Sequence, residues 1–150
     1  MASSTISRLR LVFLMTLGAL PLVWASTAHA QERAAPPDFV IEQFGAPPDV
    51  PVGPLTGDLA YAVEVLADSM VHNSWRREEI FALTKVSQSG DPRLAWILSD
   101  LMRFIRRPGV HRLLGEAAAE LLGAEAPTQN HWGFVTDRLI AWDIPAPPDY

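Results

Sequence analysis

From Thr56 to Trp142 the apolar residues recur every three to four positions, the interval that lines them along one side of an α-helix. A first helix opens at Asp58 and carries Leu59, Ala62, Val63, Leu66 and Met70 on one face, until His72-Asn73-Ser74 breaks it. A second is expected over 75–88, with Ile80 and Leu83 inward and Phe81 and Val86 as further candidates for that face. Glu78 and Glu79 stand in its first turns, where the helix dipole favours acids, and Gly90 lies where a C-terminal stop belongs. The third start is the most sharply marked. Asp91 is a good N-cap, and Pro92 takes the first helical position, where a missing N–H costs nothing. Leu94, Ile97, Leu98, Leu101, Phe104 and Ile105 follow at helical spacing; Arg106 and Arg107 close the helix and Pro108-Gly109 stops it.

A fourth helix is expected over 110–122, through Leu113, Leu114, Ala117, Ala118, Leu121 and Leu122, and Gly123 terminates it. A shorter fifth covers 130–142, where Trp132, Val135, Leu139 and Trp142 space correctly although Gly133 weakens it. No credible strand pair stands out, so the expected class is all-α. The first and third starts, Asp58 and Pro92, lie 34 residues apart, and the second and fourth, Trp75 and Val110, lie 35 apart. A period of this length is the mark of stacked helix pairs, each burying its apolar face against the next.

Two stretches sharpen that reading. Gly90-Asp91-Pro92-Arg93-Leu94 runs on to Ile97-Leu98 and Leu101, and Gly115-Glu116-Ala117-Ala118-Ala119-Glu120-Leu121-Leu122-Gly123 follows after a short break. Residues 90–123 thereby resemble a HEAT-like repeat of the short bacterial type. The resemblance implies a turn into a leucine-rich helix, with an alanine-rich helix packed closely behind it. The pair over 58–88 lacks both signatures and fits a divergent capping repeat, and two pairs fall below the roughly three such arrays usually need. Residues 119–150, with Trp132, Trp142, Pro147, Pro148 and Tyr150, are similar to the helical segment that precedes the main domain in an exported bacterial family of unknown function. That likeness implies a further domain beyond Tyr150, with this chain as its N-terminal accessory segment.

The flanks read differently. Residues 31–55 hold Pro36, Pro37, Pro47, Pro48, Pro51 and Pro54, and each proline removes an amide donor and restricts the residue before it. An extended linker is expected there. Its one apolar patch, Phe39, Val40, Ile41 and Phe44, suits either a strap on the helical domain or a docking peptide for a partner. The proline-rich tail 144–150 is also expected to be extended, which leaves 56–143 as the helical-repeat domain.

Residues 1–30 read as a secretory signal peptide. Arg8 and Arg10 lie in a segment without acids, 11–24 is an apolar run, and Ala28 and Ala30 are the small residues a signal peptidase reads. The run is 14 residues long, against roughly 20 for a spanning helix. The expectation is a periplasmic or secreted protein with no integral membrane segment after cleavage.

Charge and composition narrow the functions. Without cysteine there is no disulfide, thiolate nucleophile, Cys-ligated zinc or lipoprotein anchor. Loss of Arg8 and Arg10 takes the formal charge from −5 to −7, which argues against nucleic-acid binding and gives no support for docking on anionic lipid. His72, His111 and His131 show no His or acid partner in a metal-binding pattern. The adjacent pair Glu78-Glu79 points two ways on a helix and reads as a solvated helix start. No serine lies in a Gly-x-Ser-x-Gly context, and there is no glycine-rich phosphate loop. No catalytic residue, cofactor site or metal site is therefore assigned, and an enzyme built from scattered Arg, His and acids is the least favoured reading.

Two features remain for an unknown protein partner. Arg103, Arg106 and Arg107 would share a helix face, either bridged to Asp100, Glu116 or Glu120 or free to dock an acidic partner or an anionic ligand. Trp132 and Trp142, ten residues apart, nearly share a face of the fifth helix, as core or as a binding surface.

Overall fold

The computed structural model describes residues 33–129, 131–148 and 150. The segment 1–30 with Ala28 and Ala30, and the expected helix start at Asn130, lie outside the described residues. Among the described residues, all regular structure is helical: α1 Asp38–Phe44, α2 Gly57–His72, α3 Arg77–Ser87, a 3₁₀ turn Pro92–Leu94, α4 Ala95–Phe104, α5 Pro108–Leu121 and α6 His131–Ala141. The all-α class is what the described residues adopt.

Local chemistry sets most boundaries. α2 ends where Asn73 turns left-handed, at φ 46°, with its amide donating to the Ser69 carbonyl; asparagine tolerates that conformation better than most side chains. The start of α3 is held by Glu79, whose carboxylate accepts from the Arg76 amide at 2.6 Å and from the Ser74 hydroxyl at 2.8 Å. Glu79 is buried, so it is not the solvated acid expected from its place beside Glu78. Ile80 also departs from expectation. It is exposed, as is Phe81, while Ala82, Leu83 and Val86 turn inward. The true stripe is phased one residue away from the one drawn through Ile80.

Asp91 caps the third start as expected, accepting from the Arg93 amide at 3.0 Å. The chain then takes the 3₁₀ turn before α4 begins. Pro108-Gly109 does not stop this helix; Pro108 opens the next one. α4 has already ended at Phe104, with Ile105 extended at φ −94° and ψ 104°. Arg107 is extended too, at φ −109° and ψ 116°, because the Pro108 ring excludes the helical region for the residue before it. Arg106 and Arg107 thus lie on the connector and share no helix face with Arg103. Phe104, expected inward, is exposed at the helix end.

α2 packs on α3 and α4 on α5, while α2 also meets α4 and α3 meets α5; α6 lies across α4 and α5. Leu66, Leu94, Ile97, Leu98, Leu101 and Leu114 are fully buried at the centre. Gly115 allows the closest approach: a Cβ there would collide with the His131 ring of α6.

The linker contains a helix that proline content argued against. None of its prolines lies inside α1; Pro36 and Pro37 precede it and Pro47 and Pro48 follow, so no interior N–H is missing. α1 packs on α6. Val40 is buried and Phe44 half-buried, whereas Phe39 and Ile41 face outward. The Arg138 guanidinium lies 5.4 Å from the Phe44 ring and 4.0 Å from the Phe134 ring, and the Trp142 indole donates to the Gly45 carbonyl at 3.1 Å. The tail is fastened as well: Ile144 is buried, and its carbonyl accepts from the Trp96 indole at 2.7 Å. Among the described residues no helix is long and apolar enough to cross a membrane.

Candidate functional site

The residues singled out from sequence divide sharply. Trp142 is 4 % exposed. It falls just past the end of α6 and spends its N–H on Gly45, so it belongs to the core and not to a binding face. Trp132 remains 44 % exposed, and the Arg103 guanidinium stands 5.8 Å from its ring, close enough for a cation–π attraction. Arg106 and Arg107 are exposed on the α4–α5 connector. Among the described residues, no ion pair joins Arg103, Arg106 or Arg107 to an acid. Two of the three acids expected to pair with them are engaged elsewhere: Asp100 accepts from the Tyr150 hydroxyl, and Glu116 lies 3.8 Å from Arg112.

His72, His111 and His131 lie in three different settings. His72 does have an acid one turn before it, Asp68, at 3.5 Å, contrary to the reading of an unpartnered ring; both are well exposed. His111 bonds the Ile105 carbonyl through Nε2. His131 Nδ1 is buried against α5 with no hydrogen-bond partner. Among the described residues no group of three or more His, Cys, Asp or Glu could hold a metal ion.

A defined concave surface lies between α2 and α3. Tyr61 and Val65 are one turn apart on α2, and Glu78, Phe81 and Lys85 occupy the facing side of α3. The small side chains of Ala62 and Ala82 form the floor, and Asp58 adds a carboxylate to the rim, around a pocket of about 230 Å³. Tyr61 is 61 % and Phe81 66 % exposed. The Tyr61 hydroxyl donates to Glu78 Oε1 at 3.2 Å, and Lys85 Nζ sits 5.7 Å from the Phe81 ring. The hydrogen bond to Glu78 and the charges of Glu78 and Glu64 hold the Tyr61 phenol above its ordinary value. The groove's polar groups are the Tyr61 phenol, the Lys85 ammonium and the carboxylates of Asp58 and Glu78. It presents two aromatic faces and an apolar floor that suit an apolar stem, and carboxylates that suit a cation.

Sequence reasoning passed over this groove. Phe81 was a candidate for the inner stripe, and Tyr61 lies off the apolar face drawn through Leu59, Ala62, Val63 and Leu66. The available signal was their phase, since two aromatics off the core stripe of neighbouring helices face solvent together. Compared with protein-family models, curated proteins and solved structures, the chain matches none of them.

Proposed function

We propose that this chain is an exported, non-enzymatic helical module that binds another protein, and that its helix pairs form a short HEAT-like stack. The observation that carries the binding reading is the α2–α3 groove, with Tyr61 and Phe81 held open to solvent on two helices whose opposite sides are packed. Large aromatics fixed on rigid elements are what interface hot spots are made of. The stacked-array reading is supported by the packing order, in which each helix of the first pair meets its counterpart in the second, and by the resemblance over 90–123. Export is supported by Arg8, Arg10, the apolar run and the Ala28 and Ala30 positions.

The test is site-directed photo-crosslinking in a cell that exports the protein. A photoreactive phenylalanine analogue at Phe81 is expected to give a discrete protein adduct, while the same analogue at exposed Ile140 on α6 does not. Equal yield at both positions, or none at Phe81, overturns the binding reading. Mass spectrometry of the recovered protein checks export separately, with a mature chain beginning at Gln31 as the expected result.

A further inference from the structure

We propose that the partner seated in the α2–α3 groove is a second copy of this chain, entering through its α4–α5 connector with Phe104 and Arg106. The proposal rests on the protein-binding reading and names the occupant of that site.

Complementarity within the one chain carries it. The groove offers Tyr61 and Phe81 with Asp58 and Glu78 at the rim, opposed by a single cation, Lys85. Lys85 itself lies over the Phe81 ring, which shows the kind of group that face accepts. A fitting ligand brings an aromatic or aliphatic body together with positive charge. The connector is such a ligand. Ile105 is buried, and its extended backbone sends the neighbouring side chains the opposite way. Phe104 and Arg106 therefore both face solvent, and both are exposed. Arg107 adds a second charge, and neither arginine has an acid partner among the described residues. Phenylalanine and arginine side by side are typical anchors of an interface core.

The two surfaces are different, so the contact is heterologous: each copy gives a connector to one neighbour and a groove to another. Such contacts propagate and need not close as a two-fold dimer. Arginine against carboxylate also makes the contact weaken with salt.

Sedimentation velocity on protein purified from expression of the full chain tests this. The expected result is a sedimentation coefficient that rises with concentration and falls again in high salt. Phe81→Ser and Arg106→Glu are each expected to lower the association constant by at least roughly thirtyfold, the size of a hot-spot loss, with unchanged circular dichroism. An equimolar mixture of the two variants restores one contact, the connector of the Phe81→Ser copy in the groove of the Arg106→Glu copy. It therefore gives dimers that stop there. Wild-type protein that stays monomeric up to roughly millimolar concentration, the weak end of specific association, overturns the proposal. So does association untouched by either variant, or a mixture that fails to form dimers. A monomeric wild type that still crosslinks another protein through position 81 would remove the second copy as occupant and leave the binding reading standing.

Discussion

α4 buries Ala95, Ile97, Leu98, Ser99, Leu101 and Met102 within a span of 10 residues, whereas α2 buries only Ala62, Val63, Leu66 and Ser69 within 16. The difference follows from position. α4 has α2, α5 and α6 around it, and α2 has α3 and α4. A helix covered on several sides must be apolar around most of its circumference. A helix with fewer neighbours keeps a wider face for solvent, and on α2 and α3 that face carries Tyr61 and Phe81. One polar pair from each region shows the same contrast, although Glu79 of α3 is buried and Arg112 and Glu116 of α5 are exposed. Asp91 and Arg93, at the head of α4, are buried together, 2.6 Å apart, and Arg93 Nη1 reaches the Gly53 carbonyl at 2.7 Å. The ion pair of α2, Asp68 with His72, lies in solvent. The first pair presents a surface, and the second holds the molecule together.

The sharpest way to break this contrast is to remove one member of each ion pair. Asp91→Ala strands a buried guanidinium and takes away the cap of the third start, and it is expected to cost about 3–5 kcal/mol in urea denaturation. Asp68→Ala removes a pairing already in water and is expected to cost less than about 0.5 kcal/mol. Leu101→Ala comes next. Its side chain is wholly buried between helices, and the cavity left behind is expected to cost about 2–4 kcal/mol by the same measurement.

These residues also mark how far the sequence could be read. Asp91, Pro92 and the leucines after them were legible because a cap, a fixed φ and a 3.6-residue stripe are local signals, and each appears where local physics puts it. The phase of α3 was not. Ile80 and Leu83 are equally apolar, and which of them turns inward depends on where α2 and α5 lie, which no short window contains. The same holds for α1, whose prolines flank the helix without entering it and whose Val40 and Phe44 are ordered by α6. Arg106 and Arg107 fall on the connector because Pro108 starts α5, and proline suits a first helical turn as well as the end of a helix. The groove escaped notice because its two aromatics come from different helices.

A smaller effect probes the one buried acid of the first pair. Burial pushes the Glu79 carboxyl up, but hydrogen bonds from its helix-start amide, the Ser74 hydroxyl and the Arg76 amide outweigh this and hold it below the ordinary glutamate range. A carboxylate depressed on folding contributes stability that is present in full above its unfolded value, about 4.3, and that fades as pH falls through the lower folded value. Glu79→Gln is expected to cost about 1 kcal/mol near neutral pH. Its deficit should narrow on acidification below roughly pH 4, since the wild type loses a contribution the variant never had. A deficit that is constant with pH would mean that the charge on Glu79 is not what secures α3.

Phe81→Ser should have the smallest effect on stability, although it deletes the larger side chain. The Phe81 ring is mostly in water in the folded chain, so little apolar area is returned to solvent by its loss, and the expected change is within about 0.5 kcal/mol. Leu83→Ser, two residues on and buried, should cost several times more, because it leaves a cavity and buries a hydroxyl. If instead the two variants were equally damaging in urea denaturation, the outer face of the first pair would be part of the core, and its aromatics would need no partner. If Phe81→Ser is silent in stability while self-association is lost, the ring serves contacts outside its own chain, and the two pairs differ in purpose as well as in burial.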